Sequence, residues 1–127
     1  MNASVDQLYT LFNNKMRDFL DDLQVVIGHL PEYSVLVAST SFISRMTPTQ
    51  NHEYFLKYFV NAYGEKIANR DDSFFMDTSN VSFSPPEILL MLKKTWSNTQ
   101  ESDRKAVWDH LGVLLQISGY IQKKKKV

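Results

Sequence analysis

Three aspartates stand close together in the first part of the chain. Asp18, Asp21 and Asp22 would lie on one side of a helix, and clustered carboxylates can bind a hard cation or perform acid–base chemistry. They lie largely away from the apolar positions of the segment, beside Lys15 and Arg17, as a solvated acidic face does. A metal-dependent enzyme using these aspartates is therefore the lowest-ranked of three functional hypotheses.

The other residue types that catalysis or metal binding requires are dispersed. His29, His52 and His110 are far apart, the glycines occur singly without forming a phosphate-binding loop, and the chain has no cysteine. No Gly-x-Ser-x-Gly motif surrounds any serine. We therefore expect a protein without catalytic residues, metal ligands or a cofactor.

Aromatic side chains are more numerous than a small helical core requires. Most should be buried, and the remainder could bind a partner, because aromatic residues are enriched where binding energy concentrates. The candidates for partner binding are Tyr54, Tyr58, Phe74 and Phe75. Stacking of nucleic-acid bases on these rings is disfavoured, since Lys57 is the only basic residue between Tyr54 and Tyr63.

A run of four lysines, Lys123, Lys124, Lys125 and Lys126, stands near the end of the sequence. Residues 1–122 carry ten basic side chains against fourteen acidic ones, so the body has a net charge of −4 and the tail restores neutrality. Such a run can bind nucleic-acid phosphates or anionic lipid, act as a nuclear address, or simply solubilise a frayed helix end. Nucleic-acid association through these lysines is the second functional hypothesis.

Helical periodicity dominates the first half of the chain. Ser4 and Gln7 form a capping-box pattern ahead of an apolar face that begins with Leu8 and Phe12, and Gly28 and Pro31 end the segment. A second helix is expected from Glu32 to Met46. Its helically spaced positions are Leu36, Ser39, Phe42, Ile43 and Met46.

Thr47 and Pro48 predict the start of a third helix, with Gln50 at the capping-box position. This helix, Pro48 to Asn69, has apolar residues on most sides and should form the centre of a bundle. Residues 70–84 lose the helical period and predict a loop in which Phe74 or Phe75 docks. Two further helices should begin near Pro85 and near residues 98–102, the last with Ile121 as its final apolar position.

These elements predict an all-α, single-domain bundle of about five helices over residues 1–122, with a basic tail over residues 123–127. The most apolar stretch, Val25 to Ile43, contains Gly28, His29, Pro31 and Glu32, so it does not fit a membrane span. The first residues lack the pattern of a secretory signal. We expect a cytoplasmic protein.

The order of features resembles a class of small all-helical proteins of unassigned function encoded by nucleocytoplasmic large DNA viruses, including algal viruses. The features concerned run from Phe19 and Leu30-Pro31-Glu32, through Phe55 and Phe59, to Asp71-Asp72-Ser73-Phe74-Phe75, Lys94-Thr95-Trp96 and Val107-Trp108 with Leu111 and Leu114. The resemblance implies an infected-cell or virion setting and other viral proteins as partners. It carries over no functional residues.

The first functional hypothesis is therefore a non-enzymatic interaction or structural protein. It rests on aromatic surface beyond what the core needs, together with the absence of an assembled chemical site in the sequence pattern. We expect its partners to be other proteins, with viral proteins implied by the resemblance, and its location to be the cytoplasm, the nucleus or a virion.

Overall fold

The computed structural model describes residues 4–72 and 87–125, and in these residues the chain forms an all-α, single-domain bundle. The predicted fold class is confirmed. Six α-helices are present there, with a π-helical segment, Leu56–Val60, between the third and fourth and a short 3₁₀ turn, Trp96–Asn98, after the fifth. The helices are α1 (Val5–Ile27), α2 (Glu32–Met46), α3 (Gln50–Phe55), α4 (Asn61–Ala68), α5 (Glu87–Thr95) and α6 (Glu101–Lys125).

Helix α1 begins with the predicted capping box. The Gln7 backbone N–H donates to Ser4 Oγ at 3.2 Å, and the Ser4 backbone N–H donates to Gln7 Oε1 at 2.9 Å. These two bonds satisfy backbone donors that the first turn leaves without helical partners. The apolar face that follows is buried along its whole length, from Leu8 to Ile27.

Helix α2 returns antiparallel to α1. Tyr33, near the start of α2, donates from its hydroxyl to the Leu20 carbonyl, while Asn13 donates from its side chain to the Pro48 carbonyl at 2.9 Å. The two bonds therefore join opposite ends of the pair. No residue of α2 is fully buried, so this helix lies at the periphery of the bundle.

The predicted helix Pro48 to Asn69 is present as one continuous helical stretch, α3, the π segment and α4, but it begins at Gln50. Pro48 and Thr49 form a turn, with the Gln50 N–H donating to the Thr47 carbonyl at 3.0 Å. In the π segment the Asn61 N–H donates to Leu56, five residues back. Next to this segment, Phe55 and Phe59 stack with their ring centres 5.2 Å apart.

The core lies between α1, α6 and the stretch from α3 to α4. The most extensive helix pair joins α1 to α6, the two longest helices, and α3 and α4 pack on its flank. Trp96, fully buried at the end of α5, meets Trp108 of α6 edge to face at 5.9 Å. Of the helix predicted to be central, Phe55, Phe59 and Ile67 are core residues while Tyr54 is 45% exposed, and α1 and α6 form the most extensive helix pair.

Helix α6 extends to Lys125, three residues beyond the predicted end of the domain at 122. Ile121 is its last buried residue, and Lys123, Lys124 and Lys125 are helical and exposed. Positive charge at a helix C-terminus interacts favourably with the partial negative charge of the last carbonyl groups. This interaction explains why like charges in succession remain helical here.

Candidate functional site

The outward side of α2 exposes large apolar side chains. Val35 is 65% exposed, Phe42 58% and Met46 67%. Ala38 and Ser39 lie between them on the same side, and we call these five residues the α2 face. Arg45 is the only charged residue at an exposed position of the helix. The α2 face is therefore a nearly uncharged apolar strip on the surface of the protein.

Tyr54 and Tyr58, two of the predicted partner-binding residues, form a ring pair close to α2. Their ring centres are 4.7 Å apart, Tyr54 is 45% exposed, and Lys57 Nζ lies 5.1 Å from the centre of the Tyr58 ring. Tyr54 lines a small apolar cavity together with Leu36 and Thr40 of α2. The pair thus stands at the border between α3 and α2.

A polar pair lies inside the core between α3 and α6. His52 and Ser118 are almost completely buried, and His52 Nε2 lies 2.8 Å from Ser118 Oγ. The edges of Tyr9 and Phe12 meet the imidazole at centre distances of 5.7 and 5.2 Å. Burial lowers the pKa of His52, the charge of Lys125 lowers it further, and Glu53 opposes both. Because aromatic rings pack against the imidazole, we interpret this pair as a structural contact between α3 and α6.

The aspartates proposed for acid–base chemistry do not share a site. Asp18, Asp21 and Asp22 are all exposed on α1, and only Asp22 contacts an imidazole, with its carboxylate 2.6 Å from His110 Nε2. Asp21 instead lines a groove between α1 and α2. Within residues 4–72 and 87–125, no cluster of three acidic, histidine or cysteine side chains could hold a metal ion.

A charged cluster ties the end of α4 to α6. Arg70 and Lys105 both bind Asp109, at 2.6 and 2.8 Å, and hydrogen bonds from Lys105 and then Arg70 lower the pKa of this carboxyl. Nearby, Trp108 donates from Nε1 to Asp72 Oδ1 at 2.9 Å. Arg70 has a φ of 51°, which places this turn residue in the left-handed region common after helix ends.

The remaining predicted site residues are only partly covered by the structure. Phe74 and Phe75 lie outside the described residues, so their docking stays a prediction. Lys123, Lys124 and Lys125 are exposed along the last turn of α6, and Lys126 lies outside the described range. Nucleic-acid binding by these lysines also stays a prediction.

Sequence reasoning missed the α2 face and the His52–Ser118 pair. For the pair a signal was available, because His52 precedes Phe55 and Phe59 by three and seven residues and so lies on their side of the helix. For α2 the signal was ambiguous. Phe42 and Met46 share helical spacing with Leu36 and Ile43, yet the first two point outward and the second two are partly buried.

The chain matches no protein family model, no curated protein and no solved structure. Across the parts of the chain that the structure describes, no helix combines the length and apolar character needed to cross a bilayer.

Proposed function

We propose that this protein is a non-enzymatic interaction protein that binds another protein through the α2 face. The observation that carries this proposal is the exposure of Val35, Phe42 and Met46 on one side of one helix. Apolar side chains grouped on a surface mark interaction sites more often than apolar side chains scattered singly.

The shape of the α2 face favours an amphipathic helix as the partner element. The face is one helix wide and about 17 Å long, from the 11 residue steps between Val35 and Met46 at 1.5 Å each. The small side chains of Ala38 and Ser39 leave a depression between the larger ones, which can accept a ridge of side chains from a second helix. Because the face itself is nearly uncharged, the contacting side of the partner should be apolar.

The Tyr54–Tyr58 pair lies beside α2, where Tyr54 lines a cavity with Leu36 and Thr40. Tyrosine provides a large apolar ring with a polar hydroxyl, a combination enriched at protein interfaces. The resemblance to small helical viral proteins leads us to propose an infected cell or a virion as the setting, with the partner a protein found there.

Site-specific photo-crosslinking in the producing cell tests this proposal. A photoreactive residue replaces Phe42 in one variant and Val25 in a matched control, since Val25 is an apolar side chain of α1 that is 76% exposed outside the α2 face. We expect one discrete cross-linked protein from position 42 and none from position 25. The same products from both positions, or none from either, would contradict the proposal.

A further inference from the structure

A polar groove lies between α1 and α2. Its volume is about 280 Å³, close to the lower limit for small-ligand sites. The side chains of Leu20 and Val37 supply apolar lining, and the polar side chains come from both helices. These are Asn13, Asn14, Arg17 and Asp21 from α1 and Thr40, Ser41, Ser44 and Arg45 from α2.

A hydrogen-bond network fixes the end of the groove where α3 begins. Asn51 donates from Nδ2 to Ser44 Oγ at 2.8 Å and to Asn13 Oδ1 at 3.2 Å. Asn13 in turn donates to the Pro48 carbonyl at 2.9 Å. Because three helices are joined by these bonds, the spacing of α1 and α2 is set before any ligand enters.

Some of the donors that line the groove have no partner within the described parts of the chain. Within the described parts of the chain, neither Arg17 nor Arg45 forms an ion pair, and the side chains of Asn14 and Ser41 make no hydrogen bond. Two guanidinium groups therefore border one cavity from opposite helices. This concentration of positive charge stands out on a body whose net charge is −4 over residues 1–122.

Asp21 places a carboxylate at the other end of the groove. Burial, and after it the charge of Asp21, raises the pKa of Tyr33, whose hydroxyl is bonded to the Leu20 carbonyl. The carboxylate thus lies toward the Tyr33 end, whereas Arg45 lies toward the end held by Asn13. An ionised carboxylate accepts hydrogen bonds only, so it suits hydroxyl groups of a ligand and repels a second anionic group.

We propose that this α1–α2 groove binds a small phosphorylated molecule that carries hydroxyl groups, with Arg17 and Arg45 holding the phosphoryl group and Asp21 accepting from the hydroxyls. Guanidinium groups match phosphoryl oxygens in both charge and geometry. The Asn14 amide and the Ser41 hydroxyl supply further donors at the same cavity. This site lies on a different side of α2 from the α2 face, so it does not depend on the proposed protein partner.

Titration of the full chain with glycerol 3-phosphate, followed through the side-chain Nε–H signals of arginine by NMR, tests the proposal. We expect saturable shifts at Arg17 and Arg45, weaker binding of inorganic phosphate, and no binding of glycerol. Arg17→Gln and Arg45→Gln should each raise the Kd about tenfold or more, whereas Lys15→Gln, an equal charge change on the exposed side of α1, should not.

Asp21→Asn separates the two ends of the site. It should weaken binding of glycerol 3-phosphate while leaving inorganic phosphate binding unchanged or stronger. Circular dichroism of each variant checks that the fold is retained. We expect it to be retained, since all three substituted groove residues are exposed. The proposal is overturned if the arginine Nε–H shifts do not saturate at about 10 mM ligand. It is also overturned if the Nζ–H signals of the lysines at residues 123–125 shift equally.

Discussion

At the scale of single residues, the two polar side chains buried in the core, those of His52 and Ser118, contact each other. His52 is 2% exposed and Ser118 0%. The two residues are 66 positions apart in sequence, and the contact between them joins α3 to α6. Gln122 also donates toward Ser118 Oγ at 3.4 Å. A buried polar group without such bonds would destabilise the fold.

The buried imidazole of His52 should make stability depend on pH. Its pKa is lowered in the folded state by burial first and by Lys125 second, with Glu53 acting in the opposite direction. The unfolded chain therefore binds the proton more readily, so stability is present above a pH of about 6.5 and is lost as the pH falls below that value toward the folded pKa. Thermal denaturation between neutral pH and pH 5 measures this loss, and His52→Gln should reduce the pH slope.

His29 provides the control for this prediction, because it is an exposed histidine in the turn after α1. His29→Gln should leave the pH slope of the parent unchanged. An unaltered slope in the His52 variant would show that other groups govern the acid sensitivity.

Asn51, a half-buried residue, should contribute to stability through its side-chain hydrogen bonds. Its amide joins Asn13 of α1 and Ser44 of α2, and Asn51→Ala would leave those partly buried groups without this partner. We expect a loss of about 1–3 kcal/mol in the free energy of unfolding, measured by urea denaturation. Gln50→Ala, at the adjacent exposed position, should cost far less, and an equal cost for both variants would argue against a role for the network.

At the scale of elements, α2 shows why a helix can be predicted while its buried side cannot. Val35, Leu36 and Val37 are consecutive, so at about 100° per residue they point in widely different directions. Both sides of α2 are consequently apolar or small, and periodicity does not distinguish them. Packing against α1 and α3 determines which side of α2 is buried, and Phe42 and Met46 remain exposed.

The C-terminal turn of α6 should be dispensable for folding. Lys123, Lys124 and Lys125 are exposed, and the last buried residue is Ile121. Deleting residues 123–127 should leave the helicity and Tm close to those of the parent, while weakening any binding to nucleic acid that decreases with added salt. Circular dichroism and a salt titration with an oligonucleotide measure the two effects, and a drop of many degrees in Tm would show that the tail packs on the bundle.

At the scale of the whole molecule, the fold class followed from local patterns. The capping box of Ser4 and Gln7, the stop at Gly28 and the apolar spacing from Val107 to Ile121 each depend on residues within one helix. The groove and the His52–Ser118 contact could not be predicted in this way, since each needs side chains from helices distant in sequence to meet. No local sequence pattern predicted the π segment Leu56–Val60 either.

The central claim, binding through the α2 face, is tested most directly by the Kd for the cross-linked partner, measured by calorimetry alongside the Tm. The double variant Phe42→Ser/Met46→Ser should raise the Kd about tenfold or more, and its Tm should stay near that of the parent because both side chains are exposed. Val25→Ser should change neither quantity. An unchanged Kd in the double variant, or an equal loss of affinity in the Val25 control, would contradict the account.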